Sequence, residues 1–246
     1  EFVKYLASHT KENEKIITIE DTLELHLDKI FPHRDIVAMK TNNVASYSEV
    51  LVTCMRQNPK WILLSEVRSA EAVTAVRNSI SSGHNILSTI HADKASAIPY
   101  RMYSLLESDI DVDQFLNTIY RYIQLGVHIK AYYSKEYGKF HREVDEVVEF
   151  YVDDDNKPQT HILYQKTFGK APVQNMPSDH LREYLENQNI FIDNLFTKGD
   201  SMSSIDNEVS KVGDEVSTSQ INVVEPSTSN NQTLSNTSLF TDTDIV

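Results

Sequence analysis

Apolar and polar positions alternate along residues 1–126 in a pattern that predicts short buried strands separated by amphipathic helices. Three short, mostly apolar runs have the length of strands, and they cover residues 16–19, 61–64 and 86–90. Helical spacing of apolar residues is found in segments 46–58, 69–82 and 112–124. Near-continuous apolar runs are typical of strands buried on both faces, so this alternation predicts an α/β fold with a mostly parallel sheet flanked by helices.

Polar residues with capping chemistry support the predicted helix boundaries. Ser69 precedes the second helical segment and Gly83 follows it, as expected for an N-cap and a C-terminal stop. Ser96 is predicted to cap a further helix, because Pro99 would then fall in the first turn, where a missing N–H group is tolerated.

After Gly126 the pattern changes to short strands joined by polar turns, at residues 127–132, 142–152 and 160–166, followed by a helix at 178–187. This predicts an antiparallel appendage on the sheet. From residue 199 onward, 21 of 48 residues are Ser, Thr or Asn, a composition that predicts a disordered tail. We therefore divide the chain into a core at residues 1–126, a C-terminal part of the same domain at 127–198 and a tail at 199–246.

Charge and cysteine content narrow the class of protein. The net charge is −13, and the tail contributes −7 of it, with eight acidic residues against one lysine. An acidic chain of this kind is not expected to bind nucleic acid sequence-specifically. The single cysteine, Cys54, excludes a disulfide framework within the chain and fits a reducing cytoplasm. The nine histidines lack the spacing of a zinc site.

Polar side chains follow each of the three predicted strands. Glu20 ends the first run, Glu66 follows the second and His91 follows the third. If these strands are parallel neighbours, their carboxyl ends share one edge of the sheet, which is where ligands bind in open α/β folds. Carboxylates there can hold Mg²⁺ or orient an attacking water, and an imidazole can donate to a phosphate oxygen. The arrangement predicts a nucleotide-type site; the competing interpretation is a set of solvated strand ends.

The order of three segments resembles one family. "IITIEDTLEL" (16–25), "MRQNPKWILLSEVRSAEA" (55–72) and "SSGHNILSTIHADKASA" (81–97) are similar to the acidic, Walker B and histidine boxes of secretion-motor ATPases. These motors serve type II and type IV secretion, pilus assembly and conjugation, and the likeness is greatest to the branch of tight-adherence pili and conjugative transfer. The resemblance implies a RecA-like fold, ATP and Mg²⁺ as ligands, a homo-hexamer, and a cytoplasmic location at an inner-membrane secretion or pilus complex.

Residue roles follow from the same resemblance. Glu20 corresponds to the acidic-box carboxylate that engages the attacking water or the metal, and Glu24 to its second acid. Glu66 corresponds to the Walker B glutamate that supports Mg²⁺ and water activation. His91 corresponds to the histidine-box residue near the nucleotide, and Arg68 is expected to link this edge to a neighbouring strand or subunit. Glu20 and Glu66 are therefore the expected catalytic residues, and Glu24, Arg68 and His91 the expected nucleotide-binding residues.

The sequence also departs from the family pattern. The phosphate-binding loop GxxxxGK[ST] does not occur in the 246 residues, and we expect the chain to begin just after it. Ser65 stands where the family has glycine before the Walker B glutamate, and positions 48 and 52 hold Ser and Val where arginines are usual. Two alternatives to a motor therefore stay open: a degenerate or truncated non-catalytic subunit, and a different RecA-like ATPase such as a helicase.

Overall fold

In the computed structural model, four parallel strands form the central sheet: β1 (Ile16–Glu20), β2 (Ile36–Lys40), β3 (Trp61–Leu64) and β4 (Asn85–Ser88). Their order across the sheet is β2-β1-β3-β4. The structure describes residues 1–41, 45–106, 110–135 and 138–192. The predicted parallel α/β sheet is confirmed, and the three predicted strands are adjacent. The edge strand β2, whose residues are partly buried or exposed, was not predicted.

Seven α-helices are present in the described residues, and they have the following bounds: α1 (Phe2–Ser8), α2 (Leu27–Ile30), α3 (Tyr47–Met55), α4 (Ala70–Ser81), α5 (Ile98–Ser104), α6 (Val112–Tyr122) and α7 (Asp179–Glu186). Ser69 caps α4 by accepting a hydrogen bond from the N–H group of Ala72, and Gly83, with φ +83°, ends that helix region, as predicted. Ser46 and Glu49 form a capping box at the start of α3.

The predicted cap at Ser96 is wrong. A 3₁₀ turn, Ala95–Ala97, precedes α5, and Ala97 occupies the N-cap position without a side-chain cap. Pro99 lies in the first turn, as expected. The backbone N–H group of Ser96 instead donates to a carboxylate on a distant strand, a contact that is independent of local capping chemistry.

A second sheet is fully antiparallel and confirms the predicted appendage. Its strands are β5 (Leu125–Ser134), β6 (Lys139–Val152), β7 (Pro158–Gln165) and β8 (Val173–Gln174), in the order β5-β6-β7-β8. The two-residue strand β8 was not predicted, because it carries no periodic signal. The division at residues 126 and 198 stays a prediction, and the predicted tail, 199–246, lies outside the described residues.

Hydrophobic clusters cover both faces of the parallel sheet. On one face, Ile17, Ile19, Ile62 and Leu64 pack with residues of α3, α4, α6 and β6. The opposite face carries a smaller cluster, whose buried members are Val3, Ala7, Ile16, Leu25, Leu27 and Leu63. Alternate residues of a strand point to opposite faces, so β1 and β3 contribute apolar side chains to the clusters on both faces. No helix among the described residues is long and apolar enough to cross a membrane.

Candidate functional site

The carboxyl ends of β1 and β3 form a topological switch point. From β1 the chain continues to β2 on one side, and β3 then lies on the other side of β1. Ligands of open α/β sheets bind at such crevices. Backbone hydrogen bonds keep these ends in register beyond the strands, because Ser65 N–H donates to Ile19 O at 3.1 Å and Val67 N–H to Thr89 O at 2.7 Å.

Glu66 and His91 meet at this edge. Oε1 of Glu66 lies 3.2 Å from Nε2 of His91. The Glu66 side chain is 31% exposed and the imidazole 92% exposed, so both reach solvent at the mouth of the crevice. The carbonyl of His91 accepts a hydrogen bond from Nε of Arg101 at 3.1 Å, which fixes the backbone that carries the imidazole. The structure thus brings together two of the predicted site residues from two different strands.

Arg68 forms an ion pair with Asp21, which follows β1 directly. The pair spans the switch point and joins the end of β3 to the end of β1. Arg68 had been expected to link this edge to a neighbouring strand. Asp21 had not been chosen as a site residue, although the acidic box holds it next to Glu20 and alternation along the strand places the two on opposite sides.

The carboxylate of Glu20 is buried and fully engaged. Its Oε1 accepts a hydrogen bond from the hydroxyl of Thr18 at 2.9 Å. Its Oε2 accepts from the N–H groups of Glu24 at 2.8 Å and Leu25 at 3.0 Å. Glu20 has no exposed surface, whereas Glu66 reaches solvent. The expected contact of Glu20 with a water or a metal stays a prediction; here the side chain holds the loop that follows β1.

Glu24 contributes to this arrangement through its backbone. Its N–H group is held by Glu20, and the residue itself is exposed. The predicted site residues therefore divide into two sets. Glu66, Arg68 and His91 present side chains at the open edge, while Glu20 and Glu24 form a loop anchor beside it.

Tyr47, at the start of α3, is a neighbour of Glu66 that the sequence analysis did not single out. Burial raises the pKa of its phenol, the nearby carboxylates of Glu66 and Glu71 raise that pKa further, and hydrogen bonding to Ser65 and Thr41 lowers it. The net shift is upward, so the hydroxyl stays protonated at neutral pH. No local pattern distinguishes this tyrosine from an ordinary first-turn residue, so only the packing of α3 against the sheet shows its place.

The residues present fit one part of a Mg²⁺–nucleotide site. Glu66 offers an accessible carboxylate and His91 an accessible imidazole at the switch point. Among the described residues no group of three or more His, Cys, Asp or Glu side chains could hold a metal ion alone. The 246 residues contain no GxxxxGK[ST] loop to cradle phosphates. This edge of the sheet therefore supplies an accessible carboxylate and an accessible imidazole.

Comparison with known proteins gives a consistent result. The family model described as "Type II/IV secretion system protein" matches residues 2–182. The chain is 33% identical over 162 residues to the type IV secretion system protein VirB11 of Bartonella quintana, covering 61% of this chain and 42% of that protein. An uncharacterised protein of Bacillus anthracis is 30% identical over 152 residues, covering 61% of this chain and 34% of that protein. The chain therefore spans less than half the length of these relatives.

One solved structure shows the same fold. The VirB11 ATPase of the Brucella suis type IV secretion system, in complex with sulphate, superposes with a TM-score of 0.50. The match covers 59% of this chain and 43% of that one, at 24% sequence identity.

Proposed function

The chain belongs to the type II/IV secretion system protein family, and from this premise we propose that it is the C-terminal part of an ATP-hydrolysing secretion motor. Such a motor would move proteins, pilus subunits or a protein–DNA substrate through a membrane complex. The relatives that carry the name VirB11 support the proposal, because one is a type IV secretion protein and the other an ATPase of such a system.

The single observation that carries the proposal is the convergence of the three boxes at the switch point. Asp21 of the acidic box pairs with Arg68, and Glu66 of the Walker B box lies against His91 of the histidine box. Charged side chains that were merely solvated at the strand ends would not be expected to pair across three strands at this crevice. Isolated exposed pairs are weak stabilisers, so their placement here favours a chemical function.

Glu66 is the best-placed acid for direct chemistry. Its accessible carboxylate would accept a proton from, or orient, an attacking water, and His91 would donate to the ligand or to Glu66. When bound, ATP would supply the phosphoryl group, and Mg²⁺ would neutralise the negative charge of that group. The contacts of Glu20 support an indirect role for this residue, because its hydrogen bonds hold the loop of Asp21 and Glu24 beside the crevice. Arg68 and Asp21 would keep the two sides of the crevice together.

The setting proposed for the intact motor is a homo-hexamer in the cytoplasm, attached peripherally to an inner-membrane secretion or pilus complex. The proposed motor would also need a phosphate-binding loop, a motif that does not occur in these 246 residues. The C-terminal end of α1 lies at the amino edge of the sheet, where Arg34 donates to the carbonyl of Ala7 just before β2 begins. A phosphate loop placed before α1 would therefore approach the opposite edge, where Glu66 and His91 lie.

The test uses the protein expressed from the complete reading frame that encodes this chain. Glu66→Gln should retain ATP binding and lose at least about 100-fold in turnover, the effect typical of removing a general base. Glu183→Gln, on the exposed part of α7, is the matched control and should keep wild-type turnover. Hydrolysis by Glu66→Gln at a rate near that of the wild type would reject the assignment.

The second candidate function is a non-catalytic subunit of the same machine. This would be the role of the protein if its complete reading frame encodes no GxxxxGK[ST] loop. Such a subunit would bind ATP poorly and hydrolyse none, and Glu66→Gln would change nothing. ATP binding and turnover of the wild-type protein therefore decide between the two functions before any variant is made.

A further inference from the structure

The histidine loop, residues 91–97, is attached at its far end to the antiparallel sheet. The N–H group of Ser96 donates to Oε2 of Glu146 on β6 at 3.1 Å. Glu146 is only 6% exposed, so its carboxylate is largely withdrawn from water. A hydrogen bond to a charged acceptor in such surroundings is stronger than one between neutral groups. The contact joins residues 50 positions apart and holds the 3₁₀ turn that leads into α5.

Next to the hydrogen bond between Ser96 and Glu146, the backbone of Gly126 packs closely against two side chains. Gly126 on β5 packs so tightly that an added Cβ atom would meet Cε2 of Phe150 at 2.8 Å and Cδ1 of Ile98 at 3.2 Å. The backbone of Gly126 has no positive φ, so space and not conformation requires glycine at this position. The start of α5 therefore lies directly on β5, beside the point where Glu146 holds the histidine loop.

The near end of the histidine loop is held by different groups. Arg101 of α5 donates from Nε to the carbonyl of His91, and the imidazole of His91 contacts Glu66 at 3.2 Å. An unbroken set of contacts thus runs from Glu66 through the histidine loop to Glu146. A shift of β6 relative to the parallel sheet would pull on Ser96 and change the position of His91.

We propose that Glu146 is a positioning residue, which acts through the histidine loop to hold the His91 imidazole at Glu66 and couples the candidate site to the antiparallel sheet. The consequence for ATP chemistry rests on the proposed function. The anchoring itself is a property of the ligand-free protein and can be measured without nucleotide.

Glu149 provides a matched comparison on the same strand. Its carboxylate is 1% exposed, and it accepts hydrogen bonds from the N–H group of Ser178, at 3.1 Å, and from the Ser178 hydroxyl. Ser178 is the N-cap of α7. Glu146 and Glu149 are therefore buried carboxylates that each hold a segment next to a helix N-terminus, but only Glu146 contacts the histidine loop. Loss of either group should destabilise the fold, and only loss of Glu146 should loosen the loop.

The experiment is amide hydrogen exchange, read by mass spectrometry, on the protein from the complete reading frame without nucleotide. Glu146→Ala should speed exchange across residues 91–97 about tenfold, the effect of losing one hydrogen bond to a charged group. Glu149→Ala should leave exchange there unchanged and speed it across α7 instead. Glu146→Gln should restore slow exchange in the loop, because the amide oxygen can still accept the Ser96 N–H. If Glu146→Ala does not fold, Glu146→Asp is used in its place, because its side chain is shorter by one methylene and its carboxylate is withdrawn from the Ser96 N–H group.

A second measurement connects the anchor to the site. The KM for ATP should rise in Glu146→Ala and return toward the wild-type value in Glu146→Gln, whereas Glu149→Ala should keep it. Unchanged loop exchange in Glu146→Ala, or an equal increase in Glu149→Ala, would overturn the anchoring. If the wild-type protein neither binds nor hydrolyses ATP, the proposed function fails. The amide hydrogen exchange of residues 91–97 then decides by itself whether Glu146 holds the histidine loop.

Discussion

Two neighbouring strands of the parallel sheet, β1 and β3, have a glutamate at or just beyond their carboxyl ends, and these two side chains lie in opposite environments. Glu20 has no exposed surface, and its two oxygens accept three hydrogen bonds. Glu66 is 31% exposed, and its carboxylate lies 3.2 Å from the imidazole of His91. The first is part of the framework, and the second is available for chemistry.

The difference arises from the strand position and from the loop that follows. Glu20 is the last paired residue of β1 and shares a face with Thr18, whose hydroxyl reaches it. The chain then folds back so that the N–H groups of Glu24 and Leu25 point at the carboxylate. Glu66 lies two residues beyond the end of β3, between Ser65 and Val67, and the segment that follows does not fold back over its side chain, which stays 31% exposed. The carboxylate of an acidic residue at a strand end is therefore buried when the following loop folds back over it, and accessible to solvent when the loop does not.

The largest expected effect is on stability. Glu20→Ala would leave a hydroxyl and two N–H groups without their acceptor, at about 1–3 kcal/mol for each buried group that stays unsatisfied. We expect the free energy of unfolding to fall by about 3 kcal/mol or more. Glu66→Ala removes only a partly exposed pair and should change it by no more than about 1 kcal/mol. Urea unfolding of both variants gives the comparison, and similar small losses would show that Glu20 is solvated in the folded protein.

An intermediate effect separates charge from hydrogen bonding at Glu20. In Glu20→Gln the amide oxygen can accept from both N–H groups, while the amide nitrogen can donate to the hydroxyl of Thr18. We expect a loss of about 1 kcal/mol, because weaker neutral hydrogen bonds replace charged ones. If the role of Glu20 is indirect, this variant should also keep ATP turnover within about tenfold of the wild type, unlike Glu66→Gln. A stable Glu20→Gln protein without turnover would instead give Glu20 a direct catalytic role.

The sequence predicted the sheet well because its signals are local. Apolar runs marked β1, β3 and β4, and alternation with helices predicted that they are parallel. The edge strand β2 was not predicted although residues 36–39 form an unbroken apolar run as long as that of β3, so its signal was present in the sequence and was overlooked. The cap assigned to Ser96 was wrong for a different reason. Its backbone N–H group is satisfied by Glu146, 50 residues away, and no local pattern shows such a partner.

The candidate site was predictable only in part. Parallel strands bring their carboxyl ends to one edge, so the meeting of Glu66 and His91 followed from their positions after β3 and β4. The burial of Glu20 depends on how residues 21–25 fold back, and an acidic loop by itself does not show that. The pairing of Arg68 with Asp21 required the order of β1 and β3, which the sequence could only assume.

The smallest expected effect is at the ion pair that spans the crevice. Arg68 is 62% exposed and Asp21 30% exposed, so solvent and salt screen their attraction. Asp21→Asn should lower the free energy of unfolding by about 0.5 kcal/mol at low salt, and by less at 1 M salt. Asp155→Asn, which removes the exposed pair with Lys157, is the control for a pair within one turn. Because the Asp21–Arg68 pair joins two strands, its loss should change nucleotide affinity more than stability, and a stability loss comparable to that of Glu20→Ala would show that the pair belongs to the framework instead.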